Sequence, residues 1–364
     1  MKANITPLSS KEIQQDFVES IFLQSEVRQF IEKEGLVCIG FVDLKKEERF
    51  QYFESWLNEN KHAEMSYLEN YQNLRKDPSH ILPGAKQAIL IGFPYYQGDR
   101  HSFNTPQHPR VAQYAKFPDY HKVLKKKCES ILASILKHHP EEYGRVLVDS
   151  APILERALAE KSLNGGIGKN TMYIHPQYGS YLLLSEIFIS FALIKDVSEE
   201  KETLSCGTCM RCQNFCPTGA LTPYSLDARK CIAYYTIEHR GPIPIEYWKH
   251  LKTYIFGCDI CQLVCPFNRK VEKVSNLALK LDEFPPLLDV VKMDAAYYER
   301  VFGGTPMTRA KRSGLRRNAL IAMIVKKDEW VSEAIKCVLN DEDPVLKETV
   351  KQIPDYEEWI HEAK

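Results

Sequence analysis

The chain of 364 residues has no net charge, with 48 lysines and arginines set against 48 aspartates and glutamates. A global field able to hold a polyanion is therefore excluded, and any such partner must meet a local basic patch. Long apolar runs are missing as well. The most apolar stretch, YLLLSEIFISFALI (181 to 194), is interrupted by Ser185, Glu186 and Ser190 and is too short to span a bilayer. The first residues, MKANITPLSSKEIQQDF, carry no apolar segment after Lys2, so no export signal is read there and the expected setting is cytoplasmic, with no membrane partner. A hydrophobic content of 44% is enough to bury substantial cores without disulfide support, over two or three domains.

What the chain does have is cysteine. Eight of its eleven cysteines fall between residues 206 and 265, and without an export signal ligation is a better reading than disulfides. The first run is CGTCMRCQNFCP, with Cys206, Cys209, Cys212 and Cys216 before Pro217; the second is CDICQLVCP, with Cys258, Cys261 and Cys265 before Pro266, and Cys231 lies between them. Four thiolates hold one 4Fe–4S cluster, so eight fit two. In two-cluster ferredoxins the cysteine before proline ligates the other cluster. That rule gives one set of Cys206, Cys209, Cys212 and Cys265, and another of Cys216, Cys231, Cys258 and Cys261. A pair of zinc sites is the alternative, since CxxC pairs also bind zinc. Cys38, Cys128 and Cys337 sit in apolar or helical contexts and read as ordinary thiols.

Upstream, strands at 36–44, 88–96 and 145–149 alternate with helical segments, the longest from Asp119 to about His138. This pattern predicts an α/β domain over residues 1–200. Ser150-Ala-Pro152 reads as the opening of a further helix, with Ile153, Leu154, Ala157 and Leu158 as its buried stripe. The cysteine module occupies 201–275, and 276–364 read as a small helical domain of stacked pairs. Asp149, at a strand end, stands where α/β sheets present side chains to a ligand crevice, although a helix cap is the plainer reading. Gly165, Gly166 and Gly168 permit close backbone approach, and Lys169 and Asn170 add donors, but GGIGKN has neither nucleotide-binding glycine order.

VDSAPILERALAEK, GIGKN, CGTCMRCQNFCPTGAL, LDARKCIAYYTIEHRGPIP and IFGCDICQLVCPFN, in this order, resemble the epoxyqueuosine reductase family. The likeness extends to HAEMSYLENYQNLRKDP and YAKFPDYHKVLKK, and so covers most of the chain. Ser162-Leu-Asn-Gly-Gly166 and Phe117-Pro118 depart from the family pattern. The resemblance implies a nitroreductase-related domain that binds base-off cobalamin, a ferredoxin-like module with two 4Fe–4S clusters, and a HEAT-like C-terminal domain that binds tRNA. It implies reduction of epoxyqueuosine to queuosine at position 34 of a tRNA anticodon loop, with electrons passing from an external donor through the clusters to cobalamin in a monomeric enzyme. Asp149 is then the proton donor, its pKa raised by burial beside the corrin. Tyr120 and His121 match the DYH motif and border the corrin or the substrate, or pack a helix start; Gly168, Lys169 and Asn170 form a cofactor loop, or a helix-ending turn. The acid-free run 306–327 supplies Arg309, Lys311, Arg312, Arg316 and Arg317 as phosphate contacts, with Arg240 nearby, the alternative being a solvated helix face. A corrinoid reductase of another class, such as a reductive dehalogenase, and a non-enzymatic electron carrier are the competing readings.

Overall fold

The computed structural model describes residues 24–98, 109–162, 164–193, 204–274 and 284–354. Four strands make the main sheet: β1 (Val37–Asp43), β2 (Gln87–Pro94), β3 (Gly144–Leu147) and β4 (Leu182–Ile189). Their order is β1-β2-β4-β3, and every neighbouring pair is antiparallel. Helices and strands mix as expected, but antiparallel pairing withdraws the strand-end crevice of open α/β sheets invoked above for Asp149. The segment judged above only as a membrane candidate supplies a central strand. Because β4 is covered on both faces it reads as a nearly continuous apolar run, which conceals the period of two that marks a half-exposed strand.

Helix α1 (Tyr120–His138) covers one face, setting Leu124, Cys128, Ile131 and Ile135 against Ile89, Ile91, Ile187 and Ile189. Asp119 caps it by accepting the His121 N–H. Helix α2 (Glu155–Lys161) covers the other, where Leu158 joins Ala88, Leu90, Leu147 and Phe188. Ser150-Ala-Pro152 does not open this helix. Leu154 is its N-cap, and the chain first turns through Asp149, which has a left-handed φ of 50°. The Asp149 N–H is taken by Glu155 Oε1 at 2.8 Å, so the first helical residue reaches back to close the turn.

The cysteine module and the C-terminal helices share one core. Helices α3 (Ile232–Ile237) and α4 (Ile245–Leu251) and strand β5 (Tyr254–Phe256) contribute Ile232, Trp248, Ile255 and Phe256. Helices α5 (Leu287–Lys292), α6 (Ala295–Phe302), α7 (Lys311–Lys326), α8 (Val331–Leu339) and α9 (Pro344–Lys351) pack Val290, Phe302, Leu320, Val338 and Leu346 into the same cluster. Residues 284–354, the described part of the segment read as a helical domain, are helical but have no core of their own. Short strand Arg110–Val111 pairs in parallel with β5, tying the first domain's chain to the module.

Helix α7 corrects the basic-patch reading. Residues Gly314 to Met323 are all buried, Arg316 with 1% and Arg317 with 0% of its surface exposed. Arg317 donates to the carbonyls of Tyr235 at 2.7 Å, His239 at 2.9 Å and Gly241 at 2.5 Å. Arg316 donates to the Val291 carbonyl at 2.7 Å and pairs with Asp341. Neither guanidinium can reach an RNA phosphate. Both are internal ties, bonded because a buried polar group without a partner is costly.

Candidate redox and proton-transfer site

Two tight loops and their short helices place the cysteines. Gly207 takes a φ of 46°, which lets the Cys209 N–H close on the Cys206 carbonyl, and a helical turn over Arg211–Asn214 delivers Cys212 and Cys216. The second loop mirrors it, with a turn over Ile260–Leu263 between Cys258 and Cys265. Arg211 Nε stitches the loops together by donating to the Val264 carbonyl at 3.0 Å. Cys206, Cys209, Cys212 and Cys265 line one cavity of about 230 Å³. Cys231, the N-cap of α3, lies within electrostatic reach of Cys216 and Cys258, and Cys261 within reach of Cys231 and Cys216. The cysteines that the crossover rule groups thus lie near one another, and Cys212 of the first group also acts on Cys261 of the second.

The GIGKN loop binds the cysteine loops. Lys169 N–H points at Cys206 Sγ at 3.4 Å, and its Nζ donates to the carbonyls of Gly207 at 2.7 Å and Cys209 at 3.1 Å. Asn170 Nδ2 donates to the Cys261 carbonyl at 3.4 Å. A Cβ on Gly168 would lie 2.5 Å from Ile174 Cδ1 and 2.8 Å from Asn170 Oδ1, so a larger residue here would push both side-chain ends aside. Lys169 and Asn170, expected in a cofactor loop, commit these donors to the loops that carry the cysteines. N–H bonds and a lysine charge at cluster sulfurs favour the reduced state.

Asp149 is the other centre. Its Oδ2 accepts from the Tyr120 hydroxyl at 2.7 Å and meets His121 Nε2 at 2.9 Å, while His121 Nδ1 meets Asp119 Oδ1 at 2.7 Å. Tyr120 and His121 stack with ring centroids 4.2 Å apart. The hydrogen bond to Asp149 lifts the His121 pKa to about 9 against the pull of partial burial. Asp149 moves the opposite way from expectation. Burial pushes its carboxyl up, but the bonds from His121 and Tyr120 and the nearby charges of His121 and Arg309 hold it below the usual value. Desolvation is the largest single influence, but the two bonds and the two charges together outweigh it. The proton of this pair therefore rests on His121.

Sequence reasoning missed four neighbours. Tyr114 joins the two centres: its ring lies 6.2 Å from Tyr120 and 6.3 Å from Phe256, next to the second cysteine loop, where Asp259 accepts the Gln113 N–H at 2.8 Å. Tyr67 lies beneath the Arg309 guanidinium at 5.2 Å, and Arg309 grips Glu238 with two bonds of 2.9 and 3.1 Å. Glu155 holds the Asp149 turn. Tyr114, Tyr67 and Glu155 stand inside segments quoted above, so the signal was present without a role attached; Glu238 lies within the matched stretch before HRGPIP.

The family described as "Epoxyqueuosine reductase QueG, DUF1730" matches residues 75–150, and "4Fe-4S double cluster binding domain" matches 205–268. The epoxyqueuosine reductase of Cyclobacterium marinum is 37% identical over 278 residues, 75% of this chain and 87% of that protein. The chain belongs to the epoxyqueuosine reductase family. The Escherichia coli epoxyqueuosine reductase is 32% identical over 340 residues, covering 90% of this chain and 88% of its own length. A solved epoxyqueuosine reductase with an epoxyqueuosine-modified tRNA-Tyr stem loop superposes with a TM-score of 0.79 at 25% identity, covering 94% of both chains. Membership makes the chain an oxidoreductase that reduces epoxyqueuosine in tRNA, with a two-cluster 4Fe–4S domain, and sets aside the dehalogenase and electron-carrier readings. Among the described residues no helix is long and apolar enough to cross a membrane.

Proposed function

We propose that this member of the family works through a base-off cobalamin held against Asp149, fed one electron at a time by the two clusters and protonating its substrate from the Asp149–His121 pair. The residues fit such a group. A half-exposed carboxylate whose bonds both fall on Oδ2 leaves Oδ1 for a reacting partner, and Tyr114 packs between Tyr120, which holds this carboxylate, and Phe256, just before the second cysteine run. Bound there, cobalamin supplies reduced cobalt, a nucleophile strong enough to open a strained epoxide. The cysteines of the two sets hold the clusters, and Lys169 and Asn170 orient their loops.

Converting the epoxide to an alkene and water takes two electrons and two protons, and the oxygen has to be protonated before it can leave. Asp149 holds the proton path. Tyr120 fixes the carboxylate, and His121 carries the proton at neutral pH and passes it to Asp149 across their hydrogen bond. The observation that carries the reading is the 2.9 Å contact between His121 Nε2 and Asp149 Oδ2. Arg240, Lys311 and Arg312 remain as surface cations for the tRNA, while Arg309, seated on Glu238 and Tyr67, turns its charge toward Asp149. The setting we infer is a cytoplasmic monomer supplied by an external reductant. Anaerobic turnover of epoxyqueuosine tRNA by the protein reconstituted with iron, sulfide and cobalamin, with mass analysis of the nucleoside, tests the whole. Queuosine is the expected product, and none without cobalamin.

A further inference from the structure

Among the described residues nine large apolar side chains are exposed, and three of them, Met210, Phe215 and Tyr224, fall in one short stretch around the first cysteine run. Met210 is the N-cap of the helical turn Arg211–Asn214 that delivers Cys212, and Phe215 is its C-cap, with its ring 5.7 Å beneath the Arg211 guanidinium. Tyr224 stands at the tip of a hairpin between strands Leu221–Thr222 and Ser225–Leu226, with a left-handed φ of 63°. A bulky residue rarely adopts that conformation, and here it keeps an aromatic ring in solvent where glycine or asparagine would serve the turn. Lys169 ties these pieces into one face. Its carbonyl accepts the Tyr224 N–H at 3.1 Å, and its Nζ holds the carbonyls of Gly207 and Cys209. The rim is basic: stretches 204–226 and 265–274 carry Arg211, Arg269, Lys270 and Lys273 against one acid, Glu272. Arg269 and Lys270 are exposed and follow directly on Pro266 and Phe267, which line the cavity of the first cysteine set.

We propose that this face is the docking site of the external reductant, a small acidic carrier protein that presents a one-electron cofactor from an apolar centre ringed by carboxylates. The proposal rests on the reading that an outside donor feeds the clusters. The order of the two cysteine sets supports it. The second run follows Phe256, which packs on Tyr114 and through it on Tyr120, so that set faces the Asp149 centre. The first set lines a cavity whose wall includes Ser205, Arg211 and Pro266, all exposed. An electron arriving at this face therefore meets the first cluster before the second. In each transfer the carrier's cofactor is oxidised by one electron and the first cluster is reduced by it; two transfers supply one turnover, and no bond forms or breaks. Charge complementarity selects the partner. Arg211, Arg269 and Lys270 attract carboxylates and steer the encounter, while Met210, Phe215 and Tyr224 give a small apolar contact where the cofactors come closest. Redox encounters of this kind bury little area, which lets the oxidised carrier leave. RNA is the less suited occupant, because the reacting base has to reach Asp149 on the side of the second set.

The test uses the full chain with its clusters reconstituted and no cobalamin, and follows bleaching of the clusters by stopped flow. An acidic flavodoxin in its hydroquinone form is the carrier probe, and dithionite is the small reductant that needs no docking site. Reduction by flavodoxin should saturate with its concentration and slow as salt rises. Arg269→Glu combined with Lys270→Glu should raise the half-saturating concentration at least about tenfold and flatten the salt dependence. Tyr224→Asn keeps the left-handed turn and removes the ring; it should raise half-saturation about fivefold and leave the salt dependence as in the parent. Iron content and the extent of reduction by dithionite should match the parent in both variants. Flavodoxin kinetics unchanged in both variants, or reduction without saturation in the parent, would overturn the docking site. Weaker binding of substrate tRNA by these variants, with carrier kinetics unchanged, would overturn it in favour of an RNA surface. Parent clusters that dithionite reduces but that pass no electron to added cobalamin would instead overturn the underlying electron path. The two cations and the ring lie on separate loops, so loss of clusters in one variant leaves the other decisive.

Discussion

Asp149 and His121 share one proton, and the side of the hydrogen bond on which it rests decides the pH behaviour. His121 has its pKa raised to about 9, so its charged form is the one the folded protein favours. The His121 contribution is thus fully present below the ordinary histidine value and is lost as pH rises through about 9, while the Asp149 contribution is present above the ordinary aspartate value and is lost as pH falls through its lowered pKa. Asp149→Asn removes both the partner and the outlet. Turnover should fall at least about a hundredfold, the worth of a positioned general acid, with cluster content unchanged. In the same variant the histidine should return toward about 6.5, so the residual activity should lose its alkaline limb near 9 and acquire one near neutrality in a pH–rate series. Normal turnover by this variant would assign the proton to a different group. Asp149 was legible from its motif. The direction of its pKa was not, because it depends on Tyr120 and His121 at the start of another element and on the opposing effects of burial and two donors. The left-handed turn that presents it was hidden as well, since Ser150-Ala-Pro152 looks like a helix opening and only Glu155 reaching back reveals otherwise.

At the scale of elements, the two cysteine loops and α7 show opposite limits of a sequence pattern. Ligand spacing is a local property, and it survives folding because each short turn carries its own cysteines. The cysteines that the CxxxCP crossover groups lie near one another, with Cys231 supplied by the N-cap of α3. Cys216→Ala should therefore damage the cluster held by Cys258 and Cys261 and spare the one beside its sequence neighbours; iron analysis and paramagnetic resonance of the reduced protein check this. An intact second cluster would break the assignment. Basic residues on a helix carry no comparable local signal. Arg316 and Arg317 have the composition of a phosphate patch, but their fate depends on which carbonyls pack against α7, and those come from α3, from the loop after it and from α5. Arg317→Ala should cost about 3 kcal/mol or more in denaturant unfolding, since stranding each buried carbonyl costs roughly 1–3 kcal/mol. A loss within about 0.5 kcal/mol, the usual range for a surface site, would mean that Arg317 is not an internal tie.

For the whole molecule, the question is how a chain without net charge holds a polyanion, and burial of two arginines leaves fewer cations to do it. Arg240 and Lys311 are exposed, while Arg312 is partly exposed and donates to the Met293 carbonyl at 3.0 Å. Arg309 is tied to Glu238, which lowers its value as a phosphate contact and favours a role at the cleft, where its charge reaches Asp149. These groups rise from the same shared core that seats the clusters, so an RNA bound to them is placed relative to the redox centres by a continuous packed body. Replacing Arg240, Lys311 and Arg312 together by Ala should raise KM for tRNA. It should also flatten the log–log salt dependence of binding by roughly 0.7 to 0.9 per lost contact. Single-turnover rate at saturating tRNA should be unchanged, because phosphate contacts position an RNA without touching its reacting base. Arg316→Ala and Arg317→Ala should do the reverse, lowering stability while leaving the salt slope of the folded fraction at the parent value. If the two buried arginines moved the slope and the three surface cations did not, α7 would have to open when tRNA binds, and the shared core would be a hinge rather than a fixed platform.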